Sequence, residues 1–94
     1  MTNNTHDPTT EILTDRGKEY GAFISQAGLS QELKTVMQEH RGWGALDTDM
    51  HEALELIAMK ISRILNGNPN HIDSWDDIAG YARLVADRLR GVVR

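Results

Sequence analysis

The stretch from Asn66 to Tyr81, NGNPNHIDSWDDIAGY, separates two periodic apolar segments of the chain. Its Asn-Gly and Pro-Asn pairs are typical of a helix end followed by a tight turn. Ser74 with Asp77 three positions later resembles a capping box, which predicts that the next helix begins near Ser74. The stretch therefore predicts two helices joined by a short polar loop.

The flanking segments show helical periodicity. We expect the third helix to run from about Asp49 to Leu65, and the fourth from about Ser74 to Arg90. Leu56 and Met59 lie opposite the main apolar stripe of the third helix, which suggests burial on both sides, in the centre of the domain or at a subunit interface. The expected core positions of the fourth helix are Trp75, Ile78, Ala82, Val85 and Leu89.

Two further helices are predicted before these. Asp7-Pro8 is a typical N-cap and first helical position, so helix 1 is expected from about Pro8 to Gln26. Gly28 is the expected stop, and Ser30 the expected N-cap of helix 2, from about Gln31 to His40.

The predicted fold class is all-α: a compact bundle of about four helices, oligomeric through helix 3. We expect residues 1–7 to form a disordered N-terminal tail and residues 8–94 to form a single helical domain.

Composition excludes several classes of protein. The 94 residues include no cysteine, which rules out disulfides and thiolate metal sites and suggests a reducing compartment. No apolar run approaches the roughly 20 residues of a membrane span, and no signal peptide is evident, so we expect a cytosolic protein. The net charge of −4 argues against binding to duplex nucleic acid, which favours a basic face.

Acidic side chains form the first candidate site. Carboxylates gathered from two helices suit Mg²⁺, a hard cation that prefers oxygen ligands. The alternative is that these acids cap a helix or are simply solvated. The candidate metal ligands are Glu52, Glu55, Asp73 and Asp77.

Cationic and aromatic side chains form the second candidate site. Arg and Lys suit phosphate, an aromatic ring suits a base, and the start of a helix offers N–H groups. Gly17 and Gly21 lie beside two of these residues and would allow close approach. The alternative is that the cations pair with the surplus acids. The candidate ligand-binding residues are Arg16, Tyr20, Lys60, Arg63, His71 and Ser74.

Three segments carry a resemblance to known families: RGKEYG at residues 16–21, KISR at 60–63 and GNPNHIDSWDDIAGY at 67–81. They resemble a family of small phage-encoded all-α proteins of unknown function, related to the "nucleotide modification associated" domain. The pattern is also remotely similar to MazG-like nucleoside triphosphate pyrophosphohydrolases, which bind Mg²⁺ through Glu-x-x-Glu and Glu-x-x-Asp. Glu52-x-x-Glu55 fits the first element, whereas Asp73-x-x-Asp76 fits the second only with Asp in place of Glu.

The resemblance implies nucleotide-related biology more strongly than hydrolysis. Our leading hypothesis is a non-catalytic, oligomeric phage protein in the cytoplasm of an infected bacterium, sequestering a nucleotide or a cyclic-nucleotide defence signal. The first alternative is a MazG-like Mg²⁺-dependent pyrophosphohydrolase. The second is an interaction module that binds a protein through Leu56 and Met59. Motifs of nucleophilic catalysis are absent from the sequence.

Overall fold

The computed structural model describes residues 7–94, which fold into four α-helices without strands. A short 3-10 turn, Trp43–Ala45, lies between the second and third helices. None of the described helices combines the length and apolarity needed to cross a bilayer. The predicted all-α class and four helices are confirmed, whereas the predicted N-terminal tail lies, except for Asp7, outside the described residues. The helices are α1 (Pro8–Tyr20), α2 (Phe23–Glu39), α3 (Thr48–Asn66) and α4 (Ile72–Leu89).

The start of α1 follows the sequence prediction. The Asp7 side chain accepts a hydrogen bond from the backbone N–H of Thr9 at 3.0 Å and another from the Thr10 hydroxyl at 2.9 Å. Pro8 occupies the first helical position, where no backbone donor is required.

The predicted boundary between helices 1 and 2 is wrong. α1 ends at Tyr20 rather than Gln26, because Gly21 adopts a φ of 79°, a left-handed conformation that glycine enters without steric cost. The Asn66 side-chain amide holds this turn by donating to the carbonyls of Tyr20 at 2.8 Å and Ala22 at 3.2 Å. Gly28 and Ser30, the expected stop and N-cap, therefore lie inside α2.

α4 begins two residues earlier than predicted. The Asn68 side chain accepts from the Asn70 N–H at 3.0 Å, and the Asn68 carbonyl accepts from the His71 N–H at 3.2 Å. This turn is complete at His71, so Ile72 is already helical and Ser74 lies buried in the first turn instead of capping it. The predicted capping box is therefore wrong.

α2, α3 and α4 form one antiparallel layer with α3 in the centre. Gln26, near the start of α2, meets Ser62, near the end of α3. Arg88, at the end of α4, binds Asp47 and Asp49 at the start of α3. Successive residues of an α-helix are about 100° apart around its axis. The residues of α3 that contact α2 and those that contact α4 therefore point to nearly opposite sides of α3.

The buried positions of the described chain are small or polar. Gln26 donates to the Ser62 hydroxyl at 2.9 Å, and that hydroxyl donates to the Met59 carbonyl at 2.6 Å. Only alanines are both apolar and buried among the described residues, at positions 53 and 58. Of the predicted core of α4, Ile78 and Val85 are half-buried, whereas Trp75 (52%) and Leu89 (61%) are exposed.

Candidate functional site

The loop after α3 attaches the end of α1. The Asn68 N–H donates to the Glu19 carbonyl at 2.5 Å, and the Asn68 side-chain amide donates to the Glu19 carboxylate at 3.1 Å. A side chain at Gly67 would collide with the backbone of Glu19 and Tyr20, so glycine permits this close approach. The polar stretch that the sequence singled out thus fixes the position of Tyr20.

Tyr20 is the centre of a cation and aromatic cluster. The guanidinium carbon of Arg63 lies 4.3 Å from the Tyr20 ring centroid, within the range of a cation–π contact. The His71 ring meets the Tyr20 ring edge-to-face, with centroids 5.5 Å apart. His71 is itself held by Glu19, since Nδ1 lies 3.1 Å from that carboxylate. The structure therefore brings together three of the predicted ligand-binding residues.

A groove of about 510 Å³ runs along one side of this cluster, between α1, the start of α2 and Arg63 of α3. A Cβ added to Gly17 would meet no atom within 4 Å, so the backbone of α1 is accessible there. Predicted residue Arg16 shares the groove with Arg63. The lining residues are Leu13, Arg16, Gly17, Tyr20, Gly21, Ala22, Phe23, Gln26 and Arg63.

The two arginines of the groove lack a carboxylate partner among the described residues. Arg63 Nε is buried and has no hydrogen-bond acceptor in the described part of the chain. Arg16 forms no ion pair with any described residue, whereas Arg83 and Arg88 each bind a carboxylate. Since guanidinium groups form charge-assisted hydrogen bonds, two arginines without a described carboxylate partner make the groove suited to an anionic ligand.

Two predicted ligand-binding residues lie away from the groove. Lys60 is buried against α4, where its Nζ forms a 2.8 Å ion pair with Asp77. Ser74 is buried in the first turn of α4 and does not line the groove. For Lys60, the structure therefore shows the alternative stated in the sequence analysis, in which the cation pairs with a surplus acid.

The four predicted metal ligands lie in different places within one chain. Glu52 lines a pocket with Tyr81 and Leu84. It precedes Lys60 by eight residues, so it lies about 12 Å along α3 from the ion pair of Lys60 with Asp77. Glu55 faces α2 and accepts from Gln38 at 3.4 Å, while Asp73 lies 3.6 Å from His71. The described residues contain no group of three or more His, Asp or Glu side chains that could hold a metal ion.

Sequence reasoning missed three contributors to the groove. Gln26 was expected at the end of a helix, but it lies buried at the groove with its amide fixed by Ser62. Phe23 was assigned to a continuous helix 1, although it begins α2 beside the Gly21 turn. Asn66 was interpreted only as a stop signal, and its two bonds to the α1–α2 turn involve partners more than 40 residues away.

These observations define the class of protein as an all-α helical protein with a cationic and aromatic groove at the junction of α1, α2 and α3. The chain belongs to a family described as a domain of unknown function (DUF6378), whose model matches residues 6–89. No curated protein and no solved structure matches the chain. The sequence prediction of a family without an assigned function is confirmed to that extent.

Proposed function

We propose that this protein binds a nucleotide in the groove beside Tyr20 and does so without catalysis. The observation that carries the proposal is the presence in one groove of two arginines, Arg16 and Arg63, that form no ion pair with any described residue. A phosphate group in the groove would give both arginines an anionic partner, because guanidinium groups bind phosphate oxygens by charge-assisted hydrogen bonds.

The remainder of the groove suits a base and a sugar. Tyr20 and Phe23 offer aromatic surface on which a base can stack, and the Gln26 amide can contribute to polar recognition. The groove volume of about 510 Å³ falls within the roughly 300–1,000 Å³ of small-molecule pockets. Tyr20 already supports Arg63 from one side, which lowers the cost of ordering that arginine on binding.

The biological role that we propose is sequestration. The resemblance to phage-encoded nucleotide-related proteins suggests a phage origin and action in the cytoplasm of an infected bacterium. There the protein would lower the free concentration of a nucleotide or of a cyclic-nucleotide defence signal. The dispersed acids within one chain favour this reading over Mg²⁺-dependent hydrolysis of a triphosphate.

Isothermal titration calorimetry with a panel of linear and cyclic nucleotides tests the proposal. We expect at least one nucleotide to bind at micromolar affinity, and Arg16→Ala and Arg63→Ala each to weaken that binding at least tenfold. Arg41→Ala is the matched control, because Arg41 is an exposed arginine outside the groove and should leave affinity unchanged. Thermal melting of each variant separates loss of the ligand contact from loss of the fold.

Two results would contradict the proposal. No binding tighter than millimolar by any nucleotide would remove its basis. Release of pyrophosphate from a nucleoside triphosphate with Mg²⁺ or Mn²⁺, abolished by Glu55→Gln, would instead support the pyrophosphohydrolase alternative.

A further inference from the structure

α3 and α4 carry matching apolar stripes on one face of the helical layer. In both helices the stripe repeats at alternating intervals of three and four residues, the spacing of a helical bundle seam. On α3 it comprises Met50, Leu54, Ile57, Ile61 and Ile64. On α4 it comprises Trp75, Ile78, Ala82, Val85 and Leu89. These ten residues are called the seam face below.

The two stripes lie side by side. A groove of about 320 Å³ is lined by members of both, with Leu54 and Ile57 on one wall and Ala82 and Val85 on the other. Seen along α3, Lys60 contacts α4 and Ser62 contacts α2. Ile61 lies between them, about 100° from each, on the side that neither helix covers. Consistent with this, Ile61 is 37% exposed.

The seam face carries no charge. The positions beside the stripes are mostly small: Ala53, Ala58, Ala79 and Ala86. The cations beside the face are already paired within the chain: Lys60 with Asp77, Arg88 with Asp47 and Asp49, and Arg90 with Asp87. A twofold interface brings each residue type against the same surface of the other subunit, so like charges would repel there. Because the seam face carries no charge, no such repulsion opposes its packing against a second copy.

We propose that the seam face binds the seam face of a second copy of this chain, forming a four-helix bundle from two α3–α4 hairpins. α3 has 19 residues and α4 has 18, so each is about 27–28 Å long. Two such helices packed about 10 Å apart present a face of roughly 28 × 20 Å, or about 560 Å² in projection, which is of the same order as the ~800 Å² of accessible surface per partner in a standard interface.

The small number of buried apolar residues within the single chain supports dimerisation. The fully buried apolar residues of the described chain are two alanines, and several seam-face side chains stay exposed, including Leu54, Ile61, Trp75 and Leu89, so they are available for contacts outside the chain. The interface predicted from the sequence was the side of α3 bearing Leu56 and Met59. Leu56 instead lines the opposite pocket with Tyr81 and Leu84, about 140° around α3 from Ile61. The proposal therefore places the interface on a different side of α3, and it does not depend on nucleotide binding.

Sedimentation equilibrium of the full chain tests the proposal. We expect a mass of about 21 kDa, twice the 10.5 kDa of one chain, at micromolar concentration. Ile61→Glu should convert the protein to a monomer, because it would place two carboxylates in the interface. Leu84→Glu is the matched control: Leu84 is a leucine that is 51% exposed on the opposite face of the same hairpin, and the variant should stay dimeric.

A measurement on the unmodified protein covers the case in which Ile61→Glu fails to fold. A tenfold rise in protein concentration should raise the unfolding temperature of the wild type by about 3–6 °C, because dimerisation is coupled to folding. A monomeric wild type with a concentration-independent unfolding temperature would overturn the proposal. So would a dimer that Leu84→Glu disrupts and Ile61→Glu preserves.

Discussion

Replacing Gly67 with alanine is the most direct test of how the polar loop organises the groove. A Cβ at this position would lie against the Glu19 carbonyl oxygen and the Tyr20 backbone. Both neighbours are main-chain atoms at the end of α1, so they cannot yield as a flexible side chain would. The substitution must therefore push the end of α1 away from the loop.

The expected cost follows from the contacts that this displacement breaks. Overpacking a well-packed site costs about 1–3 kcal/mol. The displacement also lengthens the hydrogen bond from the Asn68 N–H to the Glu19 carbonyl, and one such bond contributes about 0.5–1.5 kcal/mol. Gly67→Ala should lower the free energy of unfolding by about 2–4 kcal/mol, a large part of the roughly 5–15 kcal/mol typical of a domain.

Gly80→Ala is the matched control. Gly80 lies inside α4, and a Cβ built there meets no atom within 4 Å. Alanine is favoured over glycine in a helix interior by about 0.5–1 kcal/mol, so this variant should be more stable than the wild type. The two substitutions add the same methyl group, but Gly67→Ala is predicted to lower the free energy of unfolding and Gly80→Ala to raise it.

Urea unfolding followed by circular dichroism at 222 nm, at one fixed protein concentration, measures both effects. Nucleotide titration of the folded variant then reports whether Tyr20 and Arg63 remain positioned. If Gly67→Ala and the wild type have the same urea midpoint of unfolding, the close contact between the loop and α1 does not determine stability, and the prediction is wrong.

Three further substitutions test other contacts. Hydrogen bonds from Arg88 hold the pKa of Asp49 below its usual range, so this pair stabilises the fold above about pH 4 and the stabilisation is lost as the pH falls through the lowered pKa. Arg88→Gln should therefore flatten the acid-induced fall in melting temperature, and an unchanged profile would argue against the pair. Asp87→Asn should lower the melting temperature in calorimetry at pH 7, because three arginines surround that buried carboxylate and its pKa is lowered, chiefly by the Arg83 hydrogen bond; an equal melting temperature would contradict this. Asn66→Ala should lower the free energy of unfolding measured in urea by about 1–2 kcal/mol and weaken nucleotide binding, since two hydrogen bonds to the α1–α2 turn are lost. Wild-type stability together with wild-type affinity would show that Asn66 does not hold this turn.

Local signals in the sequence predicted much of the helical framework. Asp7-Pro8 marked the start of α1 because a cap depends only on neighbouring residues. The Asn66-Gly67 pair marked the end of α3 for the same reason. The boundary between α1 and α2 was missed because Gly21 and Gly28 look alike as stop signals. Their difference depends on Asn66, whose side chain reaches the turn from 44 or more positions away.

The candidate site was predicted in part. Arg16, Tyr20, Arg63 and His71 were grouped from their residue types and from the glycine spacing, and the structure places them around one groove and its adjoining ring cluster. Lys60 was grouped with them because its charge is visible in the sequence, while its partner depends on how α3 and α4 align. Pairing between helices is a tertiary property, so residue type alone could not separate a paired cation from an available one.

The attachment of α1 has a consequence for local opening of the structure. No residue of α1 is buried, and its C-terminal end is held mainly by the Asn66, Asn68 and His71 side chains. We therefore expect the backbone amides of α1 to exchange with deuterium faster than those of α3, through undocking that leaves the rest of the fold intact. A ligand that bridges Arg16 and Arg63 would join α1 to α3, and slower exchange in α1 alone would report its binding.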